Sequence, residues 1–267
     1  MINNMTQNST DTFEIPQMPE AMASALEIIK NQSTAVQKFI DFKQKNPEIA
    51  QTTIALANCP LYAFRHQITS IDKAINALGI MRIKNIIIAL TLRPVMTIQS
   101  VPDLWQHSLK CAVAFKILAQ DYQMINPEDA FVIGFMHDIG KIILGLTYPI
   151  KYAKARYLAT QGNEKLANVE IAQFGISHCD IGAQIVQRWQ LPMILSNCIQ
   201  NHHAPLQSNF PDICGLLYCA DRLSQTKIPT PILENDIMKR MSFSIKDPIA
   251  IRDNLNAKFS MFSKILD

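Results

Sequence analysis

The sequence predicts an all-α protein, a helical bundle of two packed lobes, from three observations. Glycine is only 8 of 267 residues, against a usual share of ~7%, too few for glycine-turned sandwiches, barrels or the Gly-rich loops of nucleotide-binding α/β folds. Apolar residues recur at helical spacing through most of the chain. Helix-opening signals recur as well, most plainly Asn46-Pro47-Glu48 and Asn126-Pro127-Glu128, each an N-cap, a proline at the first helical position and an acid on the helix dipole. With 48% hydrophobic and 18% charged residues there is ample material for a core, and the length suits one large domain or two ordinary ones.

The elements follow in order. Residues 1–13 are polar and expected to form a flexible tail. Pro19 opens a helix whose apolar stripe is Met22, Ala25, Leu26 and Ile29. Thr34-Ala-Val-Gln37 resembles a capping box before Phe39 and Phe42, and the helix from Ile49 to Asn58 is broken by Cys59-Pro60. Thr69-Ser-Ile-Asp72 opens a fourth helix ending at Gly79, and a fifth runs from Arg82 to Leu92, where Arg93-Pro94 should stop it. The stretch 95–102 divides an N-terminal helical lobe, 14–98, from a second lobe, 99–226. That lobe is predicted to hold helices at 103–121, 127–138, 150–161, 164–174, 178–189, 192–203 and 211–225, followed by a C-terminal extension, 227–267, with one helix at about 249–265.

Composition narrows the function. The net charge of +3 is small and not gathered into a basic run, so a nucleic-acid partner is not supported. The longest apolar runs, 85–92 and 130–136, fall short of the ~18–20 residues that span a bilayer, so no transmembrane helix and no membrane partner is expected. The N-terminus lacks the basic and apolar regions of a secretory signal, and a cytoplasmic location is expected. Six cysteines (Cys59, Cys111, Cys179, Cys198, Cys214, Cys219) form no C-x-x-C pair and read as buried thiols.

Histidine placement carries the chemistry. Five of the six histidines lie in the second lobe on apolar stripes. His107 shares a face with Leu104, Cys111 and Leu118, His137 with Ala130 and Ile133, His178 with Ile181 and Ile185, and His202 with Leu195 and Ile199, next to His203. Asp221 shares one with Cys214 and Leu217. Burying an unpaired polar group costs roughly 2–7 kcal/mol, so several aimed into one core require a common partner. A metal ion is the simplest one. Imidazoles and carboxylates suit Fe, Mn, Zn or Co, and Asp138, beside His137, could bridge two ions. Any one of these histidines alone is more often a hydrogen-bonded core residue. Asp103, one turn before His107, is equally an orienting group or ligand and an acid on the helix dipole. Asp180 completes a capping box from Ser177, Arg222 reads as the ion-pair partner of Asp221, Trp105 and Trp189 read as core or lobe-interface residues, and His66 reads as surface.

Phe135-Met-His137-Asp138-Ile-Gly-Lys141, with His107 upstream and Asp221 downstream, resembles the H…HD…D pattern of the HD superfamily. Ile15-Pro-Gln-Met-Pro19, Asn46-Pro-Glu-Ile49, Leu56-Ala-Asn58, Ile68-Thr-Ser70, Ala74-Ile-Asn-Ala-Leu-Gly79 and Arg82-Ile-Lys-Asn85 resemble the HDOD proteins, HD-related output domains of bacterial signalling, so that the likeness spans about 14–226. It implies an HDOD-type lobe packed on an HD-like lobe, with one or two divalent ions (Fe, Mn, Zn or Mg). His107, His137, Asp138 and Asp221 would hold the first ion. His178, His202 and His203 would complete a second site bridged by Asp138, with Lys141 on phosphate oxygens. The chain departs from the pattern in lacking the Gly-Tyr-Pro of the related cyclic-dinucleotide enzymes after His203, and in carrying Cys59 and Ala63 in the first-lobe loop. Two functions are open. One is a regulatory signal-transduction protein with a phosphorylated small-molecule ligand and a protein partner. The other is a metal-dependent phosphohydrolase, of phosphodiesterase or nucleotidase type, with Asp138 and Lys141 as catalytic groups.

Overall fold

The structure is a computed structural model and describes residues 13–30, 35–59, 66–225, 233 and 235–266. Thr34, Pro60, Ala63, most of the expected tail, and Pro229 and Pro231 lie outside that set. Among the described residues every regular element is helical. The first group is α1 (Glu20–Lys30), α2 (Ala35–Lys45), α3 (Pro47–Ala57), α4 (Ile71–Leu78) and α5 (Ile80–Met96). The second is α6 (Leu104–Tyr122), α7 (Pro127–Met136), α8 (Gly140–Thr147), α9 (Pro149–Gln161), α10 (Leu166–Phe174), α11 (His178–Arg188), α12 (Met193–Asn201), a 3-10 turn at Pro205–Gln207, and α13 (Pro211–Ser224). The short α14 (Asn235–Met238) and the long α15 (Pro248–Leu266) follow.

Local chemistry explains most of the boundaries. Ser70 caps α4, Asn126 caps α7, and Ser177 with Asp180 forms a reciprocal capping box at α11. Gly79, at φ 84°, takes the left-handed turn that ends α4 and starts α5. Asn46 behaves differently from the expected cap: its side-chain amide donates to Phe42 O at 3.2 Å, closing α2 instead of capping α3. The fifth helix also runs past Pro94 to Met96. A proline in the last turn breaks little, and the Thr97 hydroxyl takes the Arg93 and Pro94 carbonyls that end the helix. The sequence reading likewise missed α8, which restarts through Lys141 N to Asp138 O and Ile142 N to Ile139 O bonds just after the His-Asp pair.

α6 and α7 pack along each other at the centre, with α13 against α6 and with α11 between α8 and α12. α5 touches both α6 and α7 and so joins the groups, while α15 returns across α3, α6 and α13. Trp189 reinforces the joint by donating Nε1–H to Pro16 O at 2.9 Å, and Trp105 lies edge-on to Phe135 with the Arg93 guanidinium 5.6 Å above its ring. Both tryptophans thus sit where the lobes meet. One buried core runs through both groups. Pro127–Thr147 is a 21-residue helical stretch long and apolar enough to cross a membrane, contrary to the run-length expectation, but 78% of the 18-residue window that meets this test is buried inside the protein.

Candidate metal centre

The histidines come from helix ends, where the chain can turn an imidazole inward. His137 follows the last turn of α7 and His202 the last turn of α12. Each places Nδ1 2.7 Å from the carbonyl three residues back, Gly134 O and Ile199 O. A carbonyl only accepts, so both nitrogens carry the proton and both Nε2 atoms present a lone pair. His178, the first residue of α11, has Nδ1 2.5 Å from Glu170 Oε2, and Glu170 also takes the His178 N–H at 2.7 Å and the Tyr152 hydroxyl at 2.7 Å. His107, on α6, faces Ser224 Oγ with Nδ1 at 3.2 Å, while the Ser224 hydroxyl donates to Asp221 O. Such partners fix the tautomer and aim of a metal-binding imidazole.

Gly140 lets these helices close. A Cβ there would overlap the His178 carbonyl and come within 2.8 Å of Gly182 N, so only glycine allows α8 to lie against α11. That contact brings Asp138 to His178 across a 40-residue separation.

Asp138 is the hub. Its Oδ2 lies 3.3 Å from His137 Nε2, 3.5 Å from His107 Nε2 and 2.5 Å from Lys141 Nζ. Its Oδ1 lies 3.3 Å from His178 Nε2 and 3.6 Å from His202 Nε2. Asp221 Oδ1 is 3.1 Å from His107 Nε2, and the His107 and His137 Nε2 atoms are 3.2 Å apart. His203 stacks beside His202 with ring centroids 3.9 Å apart. Donor atoms of His107, His137 and Asp138 lie within 4.8 Å of one another, and so do those of His178, Cys179, His202 and His203. His107, His137, Asp138, His178, His202, His203 and Asp221 are therefore brought together. Asp103 is not placed there as an orienting group: it is exposed, with a left-handed backbone before α6, and Ser224 faces the His107 Nδ1. His66 is exposed, the Ser177–Asp180 capping box is present, and the Arg222 guanidinium lies over the Tyr218 ring.

These donors fit a cation. Three buried atoms, Asp138 Oδ1, Asp221 Oδ2 and His202 Nε2, have no hydrogen-bond partner, and the lone pair of His137 Nε2, on a ring that burial keeps neutral, faces an Asp138 oxygen that also only accepts. A positive centre between them removes that conflict. Charges move accordingly. Burial opposes ionisation of Asp138, yet His137 and Lys141 outweigh it and hold the carboxyl well below its usual range. Burial likewise opposes ionisation of Asp221, but His107 and His137 keep it depressed. Burial lowers His137, keeping it neutral, whereas His202, despite burial, is raised to about 10 by Cys179 and Asp138. At His202 a proton and a metal compete for one lone pair.

The sequence reading missed Glu170, Tyr152, Ser224 and the Cys179 sulfur. Glu170 could have been found as the acid on the helix before His178, but its eight-residue offset crosses the left-handed Gly175 and belongs to no helical period.

Among the described residues the fold is all-helical, with imidazoles gathered about Asp138 at its centre. The HDOD domain family matches residues 15–205, and the chain belongs to that family. Its structure is similar to an HDOD domain protein of unknown function from Geobacter sulfurreducens, with a TM-score of 0.73, 20% identity, and 94% of this chain and 92% of that one covered. It is similar to a candidate phosphohydrolase from Shewanella amazonensis SB2B (TM-score 0.73, 21% identity, 94% and 95% covered) and to a candidate signal transduction protein from Marinobacter aquaeolei VT8 (TM-score 0.74, 18% identity, 98% and 61% covered). At these identities the likeness is one of fold. An uncharacterized protein of Treponema pallidum (strain Nichols) is 22% identical over 197 residues, 71% of this chain, and the matched part spans 38% of that protein.

Proposed function

We propose that the chain is a regulatory HDOD module of bacterial signal transduction, working in the cytoplasm, built round a divalent-metal centre that receives a phosphorylated small molecule and reports it to a protein partner. The supporting observation is the set of Nε2 lone pairs aimed at Asp138 and Asp221, with three buried atoms left without partners. His107, His137, Asp138 and Asp221 would hold one ion, and Asp138, His178, His202 and His203 a second. The Cys179 sulfur beside the second set favours a borderline-soft ion such as Zn or Fe there. A bound ion supplies Lewis acidity toward a phosphoryl oxygen. Lys141 offers a charge to the same phosphate from the rim, its side chain 17% exposed. His137, Asp138, His178 and His202 are fully covered, so access is confined to the edge formed by His107, Lys141 and His203. That narrow edge supports holding a ligand over turning it over. A metal-dependent phosphohydrolase is the second reading, supported by the pairing of Asp138 with Lys141 in the cluster.

Elemental analysis of protein purified without chelator should find one or two divalent ions per chain. His137→Ala and Asp138→Ala should lose them and His66→Ala should not. Equal metal in all three removes the assignment. The metal-loaded protein is then given nucleotides, cyclic nucleotides and phosphomonoesters with Mn or Fe. Melting-temperature shifts without turnover fit the regulatory reading, and turnover abolished by Asp138→Ala selects the hydrolase.

A further inference from the structure

A second polar cluster lies apart from the histidines, where Arg82-Ile-Lys-Asn85 of α5 meets α7. Glu128, the second residue of α7, accepts Arg82 Nε at 3.2 Å, Asn85 Nδ2 at 3.0 Å and Lys116 Nζ at 2.6 Å. These groups line a cavity of about 290 Å³ between the lobes, near the lower end of the ~300–1,000 Å³ range of small-molecule sites. Its walls are mostly apolar: Ile86, Ala89 and Leu90 from α5, Trp105 and Val113 from α6, Phe131 from α7.

Three features define what would fill it. Arg82, Lys116 and Lys258 line the cavity with Glu128 as the one carboxylate among the described lining residues, a surplus of two positive charges (3 − 1). Asn85 is 3% exposed and spends both amide hydrogens, on Glu128 O at 2.8 Å and on Glu128 Oε2. Because both partners only accept, the amide cannot be flipped. Its Oδ1 is consequently fixed and buried, with no surface open to the cavity, so this edge offers an occupant no free acceptor. The remaining wall welcomes an apolar body.

We propose that this inter-lobe cavity is a binding site for a small, mainly apolar acid. The apolar body packs on Trp105, Phe131 and Ile86. The anionic group meets Lys258 and the Arg82–Lys116 edge. Since helices of both lobes wall the cavity, an occupant tightens their docking. The site does not depend on the metal centre.

The probe is 8-anilinonaphthalene-1-sulfonate, an apolar anion, titrated by fluorescence into the full metal-loaded chain. Saturable binding of one probe per chain is expected, with a rise in melting temperature. Ala89→Phe should weaken it at least tenfold by filling the cavity, and Lys258→Glu several-fold by removing surplus charge. N-Phenyl-1-naphthylamine, which lacks the sulfonate, should bind more weakly. His137→Ala should bind the probe as the wild type does, which separates this site from the metal reading. Absence of saturable binding, or binding that both cavity variants leave unchanged, overturns the proposal. If Ala89→Phe loses its helical circular dichroism, Lys258→Glu decides alone.

Discussion

At the centre of the first lobe, the aliphatic side chains of Ile71, Ile83, Ile87 and Leu92 are almost wholly covered. At equal depth in the second lobe stand His137, Asp138, Glu170, His178 and His202. Two regions of one continuous core therefore obey different rules. The first gains stability from area removed from water, roughly 25 cal/mol per Å². The second gives some of that gain away, because each buried imidazole and carboxylate loses hydration that its neighbours only partly restore. A region that tolerates such a loss is one whose chemistry is retained for use, and the first lobe reads as the scaffold against which it is braced.

The comparison can be broken most forcefully at Gly140. Gly140→Ala should cost about 3 kcal/mol or more, since backbone rather than a flexible side-chain end stands in the way, and should also lower metal content by parting Asp138 from His178; urea unfolding and elemental analysis measure both. Ile87→Ala, in the first lobe, should cost about 2–5 kcal/mol as a cavity mutation while leaving the metal content of the folded fraction unchanged. If Ile87→Ala loses metal in proportion to stability, the two regions are not separable. Glu170→Gln should cost least: metal affinity falling roughly ten- to hundredfold, read by competition with a chelator, with the unfolding midpoint of the metal-free protein little altered.

Much of this was legible beforehand, for a physical reason. Burial on a helix repeats every 3.6 residues, so His107, His137, His178, His202 and Asp221 announced their inward faces by the company of Leu, Ile and Cys one turn away. The family likeness added the pairing of His107 with Asp221, which no local period could supply. Illegible features were those fixed by approach between distant segments. Glu170 reaches His178 around the Gly175 turn, Ser224 reaches His107 across 117 residues, and neither contact leaves a mark on its own helix. Pro94 misled in the opposite direction: a rule about helix interiors was applied to a last turn, where Thr97 supplies the missing closure.

The two tryptophans of the chain, Trp105 beneath Arg93 and Trp189 bonded to Pro16, give the molecule a built-in optical gauge. Ultraviolet emission from these indoles will change when the halves of the protein come apart, ahead of any loss of helical content, so separation and melting can be timed independently without attaching a dye.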